Sequence, residues 1–159
     1  MFSRQELNQL YRYSFTLIGN ENDAYDLLHT CVEKYLNSQR TNIENPISYM
    51  KTIIRNQYID IRRKESKFKE EQYEETVLYL DMDIESLDMT LDNKIQISEI
   101  WQLLTSTERE IMYLWAVEGY TTSELSKYLK ISRGTLLSKI HRLRKRILDS
   151  LNIENKECV

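Results

Sequence analysis

The side chains in this chain best suited to chemistry are cations, and their chemistry is recognition of anions. Residues 127 to 146 hold eight Lys or Arg and no Asp or Glu, in a chain of formal net charge −3. The densest part, SRGTLLSKIHRLRKR from Ser132 to Arg146, has seven Arg, Lys or His among fifteen residues. Lysine and arginine donate to phosphate oxygens, and arginine also fits the paired acceptors of a guanine edge. A second cationic set is Lys51, Arg55, Arg62, Arg63 and Lys64. Catalytic patterns are absent from the sequence: there is no G-x-S-x-G, no P-loop and no nucleophile beside a plausible base. His29 and His141 are the only histidines. His29 and Cys31 stand two apart, but no further ligands stand at metal spacing, so Cys31 is expected to be a small buried residue on a helix. Cys158 lies in a polar tail, which argues against a disulfide scaffold. The expectation is a protein without catalytic site, metal or cofactor.

The elements that must position these cations are helices. Three Gly and one Pro in 159 residues disfavour a turn-rich β protein. No run of about eighteen apolar residues exists, so no membrane span is expected. MFSRQELNQLYRY carries charges where a signal peptide needs an apolar core, and a cytoplasmic location is expected. Charge is arranged in blocks. Residues 1 to 64 carry nine basic and seven acidic side chains, and residues 65 to 99 carry three basic and eleven acidic ones. A basic, an acidic and a second basic block predict separate jobs.

In the first block, Leu7, Leu10, Tyr11, Ser14, Leu17 and Ile18 recur at helical spacing and Gly19 follows as a stop. A second helix is capped by Asn20 or Asn22 and buries Ala24, Leu27, Leu28, Cys31, Val32 and Tyr35. Pro46 opens a third, with Ile47, Met50, Ile54, Tyr58 and Ile61 as its stripe and the cations mostly off it. Lys64 to about Met89 has no clean period and is expected to be an acidic linker in which Val77 to Leu80 could dock. From about Thr90 the helical signal returns with Leu91, Ile95, Ile100 and Leu103. A capping box at Thr107 and Glu110, or a cap at Ser106, starts a helix carrying Ile111, Leu114 and Trp115, which Gly119 stops.

Thr121 to Ile147 has the anatomy of a helix-turn-helix. Thr121 and Glu124 form a capping box, Leu125 and Leu129 face inward, and a tight turn places Ile131 in the core. Ser132 caps the second helix. At 100° per residue, Leu136, Ile140, Leu143 and Ile147 fall within about 60° of one another and make the seam. Ser138, His141, Arg142 and Lys145 fall opposite, flanked by Lys139 and Arg146. Such a face suits the major groove of DNA.

At these residues the chain resembles the extracytoplasmic-function sigma factors, the two-domain class of bacterial RNA polymerase initiation subunits. LTSTEREIMYLWAVEGYTTSELSKYLKISRGTLLSKIHRLRKRIL is similar to their region four, with its E-G, its S-E-L and its G-T-hydrophobic stretch. LYRYSFTLIGNENDAYDLLHTCVEKYL is similar to region two, whose hallmark is D-A-x-D followed by two hydrophobic residues. YMKTIIRNQYIDIRRK is similar to the stretch that melts and reads the promoter.

The resemblance implies an all-α protein of two small helical domains. Region two would occupy residues 1 to 64, an acidic linker 65 to 89, region four 90 to 152, and a polar tail 153 to 159. Its implied partners are core RNA polymerase and promoter DNA, with an anti-sigma factor or an auxiliary recruiting protein as a further partner. Asp23, Asp26, Leu27, Leu28 and His29 would dock on the polymerase, where apolar side chains and carboxylates suit a charged helical partner. Capping and core packing explain Asp23 and Leu27 in any fold. At the minus-ten element Arg55, Arg62, Arg63 and Lys64 would hold phosphates. Tyr49 and Tyr58 would stack on exposed bases and Asn56 would read a flipped base. Asp60 would order the neighbouring arginines. The linker would follow the polymerase's basic RNA-exit path; the plainer alternative is a solvated spacer. At the minus-thirty-five element the implied set is Arg133, Thr135, Leu137, Ser138, Lys139, His141, Arg142 and Lys145.

Three residues depart from the family. His29 and Thr30 stand where it usually has Gln followed by Glu, and Leu137 stands where it usually has a cation. Losing a cation at 137 removes a phosphate or guanine contact, the latter worth roughly 1–3 kcal/mol. The leucine could instead meet a thymine methyl or a protein partner. Rival readings are a helix-turn-helix regulator that dimerises through residues 1 to 64, an RNA-processing enzyme or nuclease accessory with a hidden metal site, and a sigma factor brought to DNA by another protein.

Overall fold

The computed structural model describes residues 1–38, 40, 42–68 and 99–157, and their regular structure is all helical. The chain groups into two compact units, Met1–Thr76 and Val77–Val159. The acidic segment from residue 69 onward, Val77 to Leu80, Leu91, Ile95 and Cys158 lie outside the described residues.

The N-terminal unit is three helices, each packed on the other two. Helix α1 is Arg4–Ile18. Ser3 and Glu6 close a reciprocal capping box: the Ser3 hydroxyl accepts from the Glu6 N–H at 3.3 Å, and the Glu6 carboxylate accepts from the Ser3 N–H at 2.7 Å. These bonds hold the Glu6 carboxyl below its ordinary pKa. Gly19 ends the helix at φ +78°, where a side chain would be strained, and its N–H donates to the Phe15 carbonyl at 2.7 Å. Helix α2, Glu21–Asn37, starts at once, and the cap is Asn20, whose side chain accepts from the Asp23 N–H at 3.3 Å. Helix α3, Pro46–Phe68, is capped by Asn45 through the Ser48 N–H at 3.0 Å. Pro46 falls where an amide would have had no helical partner.

Leu10, Tyr13, Leu17, Ala24, Leu27, Cys31, Met50, Ile54 and Tyr58 form the core of this unit. Burying each large apolar side chain stabilises by roughly 1.5–3 kcal/mol. Ser14 and Thr16 are buried too, and their hydroxyls donate to the carbonyls of Leu10 and Arg12 at 3.0 and 2.8 Å, so neither is left unsatisfied. Lys51, counted above among the cations, is only 2% exposed.

The described part of the C-terminal unit opens with a helical stretch at 99–102 and a turn. Helix α4, Ser106–Met112, is capped by Thr105 and not by Ser106 or Thr107. Three hydroxyl residues in a row offered three registers, and Thr105 wins because Glu108 then reaches back to its N–H at 2.9 Å while Ile111 and Leu114 fall inward. The helix widens into a π-turn at Tyr113–Val117, where the Glu118 N–H donates to the Tyr113 carbonyl at 3.1 Å, and Gly119 at φ +73° ends it. Helix α5, Thr122–Leu129, has the predicted Thr121–Glu124 box. Helix α6, Arg133–Glu157, follows a three-residue turn. Leu104, Ile111, Tyr113, Leu114, Leu125, Leu129, Leu136, Ile140 and Leu143 make the core.

Candidate nucleic-acid interface

The turn before α6 fixes how that helix is presented. Lys130 is the one described non-glycine residue at positive φ, +55°. The Ser126 hydroxyl donates to the Ile131 carbonyl at 2.7 Å, and the Ile131 N–H donates to the Ser126 carbonyl at 3.2 Å, so α5 grips the turn from below. Ile131 is half-buried. The Ser132 hydroxyl accepts from the Thr135 N–H at 3.2 Å and caps α6. Leu136, Ile140 and Leu143 are buried, and α6 packs against α5 and α4 through them. Rotation of α6 is therefore set by apolar burial, and its outer face is whatever lies opposite.

That outer face carries Arg133, Thr135, Leu137, Ser138, His141, Arg142 and Lys145, all exposed, with Lys139 half-buried at its edge. Leu137 is 46% exposed beside a fully buried Leu136. Leu137, Ser138, His141 and Arg142 line one shallow, open hollow. The Arg142 Nε donates to the Ser138 carbonyl at 3.2 Å, which lays the guanidinium along the rim.

Two arginines of the block do other work. The Arg144 guanidinium lies 5.9 Å from the centre of the Trp115 ring, within reach of a cation–π contact. Arg146, which the helical wheel put on the flank of the outer face, is a strut. Its guanidinium donates to Glu108 at 2.9 and 3.3 Å and to the Leu103 carbonyl at 3.2 Å, tying α6 to the start of α4. Thirty-eight residues separate the pair, so no local pattern announces it. Burial pushes the Glu108 carboxyl up, but the Thr105 N–H and Arg146 outweigh it and leave its pKa below the ordinary value. A lowered folded pKa means stabilisation present above the ordinary value and lost as pH falls through the lowered one. Glu108→Gln is therefore expected to flatten part of the decline in stability between about pH 6 and pH 3. Tryptophan-monitored urea titrations of the two proteins check this; parallel pH curves would count against it.

On α3, Arg62, Arg63, Lys64 and Asn56 are exposed, and Arg55 is half-buried. Asn56 and Arg63 are seven residues apart and share one edge of the helix. Arg63 lies 3.9 Å from Asp60, in keeping with an ordering role for that carboxylate, and Arg62 pairs with Glu65 at 3.0 Å. Tyr58, expected to stack on bases, is only 9% exposed and follows Met50 and Ile54 into the core. Tyr58 occupied both the apolar stripe and the aromatic set in the sequence, and burial decides for the stripe. Tyr49 is half-buried, with the Arg40 guanidinium 5.7 Å from its ring centre and the Tyr35 ring 6.1 Å away.

On α2, Asp23, Asp26 and His29 are exposed, and His29 lies 3.6 Å from Glu33. Leu27 and Leu28 are buried at 2% and 9%, so they support this face from beneath and do not project from it. The apolar part of the surface draws in Asn8 and Tyr25, outside every set named from the sequence, together with stripe residues of α1 and α2. Leu7, Asn8 and Tyr11 of α1 and Tyr25, Leu28, His29 and Val32 of α2 line a groove of about 350 Å³. Tyr11 and Tyr25 stack there at 4.4 Å, and burial, with Glu21 and Tyr25, pushes the Tyr11 phenol up to about 12. The i, i+3, i+4, i+7 spacing of 25, 28, 29 and 32 was the available signal. Beneath it, burial raises the Cys31 thiol to about 11, so it stays protonated at neutral pH.

Among the described residues no helix is long and apolar enough to cross a membrane. No protein-family model matches the chain. A curated relative, the ECF RNA polymerase sigma factor SigE of Mycolicibacterium smegmatis, is 23% identical over 158 residues, covering 97% of this chain. The chain spans 62% of that relative's length. Among solved structures, the sigma factor RpoE from Bartonella quintana, in complex with the anti-sigma factor NepR, matches with a TM-score of 0.72 at 21% identity. The match covers 94% of this chain and 93% of that one, and the two share a fold.

Proposed function

We propose that this chain is a sigma factor of the extracytoplasmic-function type, a non-catalytic subunit that binds core RNA polymerase, directs it to a promoter and helps open the duplex. The observation that carries the reading is a cationic outer face on the second helix of a helix-turn-helix, in a chain that shares a sigma-factor fold over 94% of its length. Residues 1 to 64 serve as region two and residues 90 to 152 as region four. Exposed Asp23, Asp26 and His29, with the neighbouring groove, supply the polymerase-docking face, where carboxylates select a basic partner and apolar area holds it. Arg55, Arg62, Arg63 and Lys64 hold minus-ten phosphates, Asn56 reads an exposed base edge, and Tyr49 is the aromatic left to stack. The outer face of α6 meets the minus-thirty-five element. An anti-sigma protein is the expected regulator, and the structural relative is itself bound to one.

Gel filtration with purified core polymerase tests the reading. Co-elution, followed by mapped start sites in transcription with core alone, supports it; a chain that elutes apart from core is a plain DNA-binding regulator. Initiation by chain and core alone would also remove any need for an auxiliary recruiting protein. Within this assay Asn56→Ala is expected to slow promoter opening about tenfold while leaving core affinity within about twofold. Equal loss of both would assign Asn56 to folding.

A further inference from the structure

We propose that Leu137 selects thymine in duplex DNA by packing on its 5-methyl group, and so sets the base preference of α6; this rests on the reading of α6 as the duplex-binding helix. Leu137 is not part of the buried seam. It is 46% exposed, whereas its neighbours in the seam, Leu136, Ile140 and Leu143, are at most 6% exposed. It is the fifth residue of α6, in the N-terminal part that approaches base edges when such a helix enters the major groove.

Its surroundings match one base edge better than a protein. From Arg133 to Arg146 it is the single exposed large hydrophobic residue, and the face around it bears Arg133, His141, Arg142 and Lys145. One leucine among cations is too small to anchor a protein interface, which needs a buried apolar cluster. One methyl group is what thymine alone presents in the major groove. The hollow shared by Leu137, Ser138, His141 and Arg142 supplies an apolar wall beside polar groups. The hydrogen bond from Arg142 Nε to the Ser138 carbonyl fixes the Arg142 stem on that rim. Its other donors then suit an adjoining phosphate or purine, while the leucine meets the methyl. A lysine or arginine at 137 would prefer guanine, so the leucine changes which base is chosen.

The test presents the full-length chain, alone and with core polymerase, with a duplex library randomised over about ten base pairs, one helical turn. Each thymine of the enriched sites is then replaced by deoxyuridine, which removes only the methyl. Wild type is expected to lose about threefold to fivefold in affinity at one thymine, the worth of roughly one buried methyl. Leu137→Ala should bind thymine and deoxyuridine alike at that position, and Leu137→Lys should shift the selected base to guanine. Tryptophan-monitored unfolding checks that both variants fold. No enriched site, no methyl-dependent thymine, or a methyl dependence that survives in Leu137→Ala would each overturn the proposal. Co-elution with core but no thymine dependence removes this inference and leaves the proposed function standing. Thymine dependence without co-elution does the reverse.

Discussion

Replacing Leu136 with alanine is expected to destabilise the C-terminal unit by about 2–5 kcal/mol, and replacing Leu137 by less than about 0.5 kcal/mol. The two leucines are adjacent and chemically identical, so propensity and composition predict the same effect for both. Only the rotation of α6 separates them: Leu136 is 0% exposed and Leu137 is 46% exposed. Truncating Leu136 removes apolar contact from the seam and leaves a cavity between α6 and its supports, which the fixed turn at Lys130 to Ser132 hinders from closing. The molecule provides its own probe. Both tryptophans, Trp101 and Trp115, belong to the C-terminal unit. Urea titration followed by their fluorescence therefore reports that unit alone, without requiring the whole chain to unfold in one step. A midpoint lowered in Leu136→Ala with an unchanged slope, beside a near wild-type Leu137→Ala, is the expected pattern. Equal shifts would mean that the seam is wrongly placed.

Reversing Arg142 to glutamate is expected to weaken duplex binding by the full-length chain at least about tenfold at low salt. Each phosphate contact contributes about 0.9 to the salt slope, so losing one should lower the slope by about that amount. The carboxylate adds repulsion from the backbone at the same place. Arg142 is exposed and its recorded bond within the chain is to the Ser138 carbonyl of its own helix. Stability should therefore change little, unlike the outcome at Arg146, whose guanidinium holds α4 and α6 together. Binding measured by fluorescence anisotropy across a salt series gives both quantities. An unchanged slope would move the DNA face away from this side of α6.

How much of this was legible depended on how local the deciding interaction was. The helix starts at Thr121 and Ser132 could be read because a cap and its partner lie within three residues of each other, and Pro46 marked the start of α3, while Asn20 was one of two caps the sequence offered for α2. Most of the seam of α6 was legible because period alone specifies it: Leu136, Ile140 and Leu143 are buried, while Ile147 is only half-buried. The cap of α4 was not, since Thr105-x-x-Glu108 and Thr107-x-x-Glu110 both satisfy the pattern and only the packing of Ile111 chooses between them. Tyr58 belonged to two plausible sets, and the core claimed it. Lys51 was counted in the cationic set of α3 and is buried. Arg146 and Glu108 meet across a span of sequence that no periodicity links. On α2 the motif drew attention to Leu27, which lies under the surface, and to Leu28, which only floors the groove, while the stacked pair Tyr11 and Tyr25 was not singled out.

The π-turn at Tyr113–Val117 bears on which changes in chain length the fold can absorb. A π-turn holds one residue more than the α-helical turn it replaces. Deleting one residue there would let the turn relax into an ordinary helix while Ile111 and Leu125 kept their buried places. The turn from Lys130 to Ser132 has no such spare residue. A deletion there would advance α6 by one position, about 100° of rotation. Leu137 would take the place of Leu136, and His141 and Arg144 would be driven into the positions where Ile140 and Leu143 are now buried. Related chains are accordingly expected to vary in length before α5 and to hold their length strictly between α5 and α6.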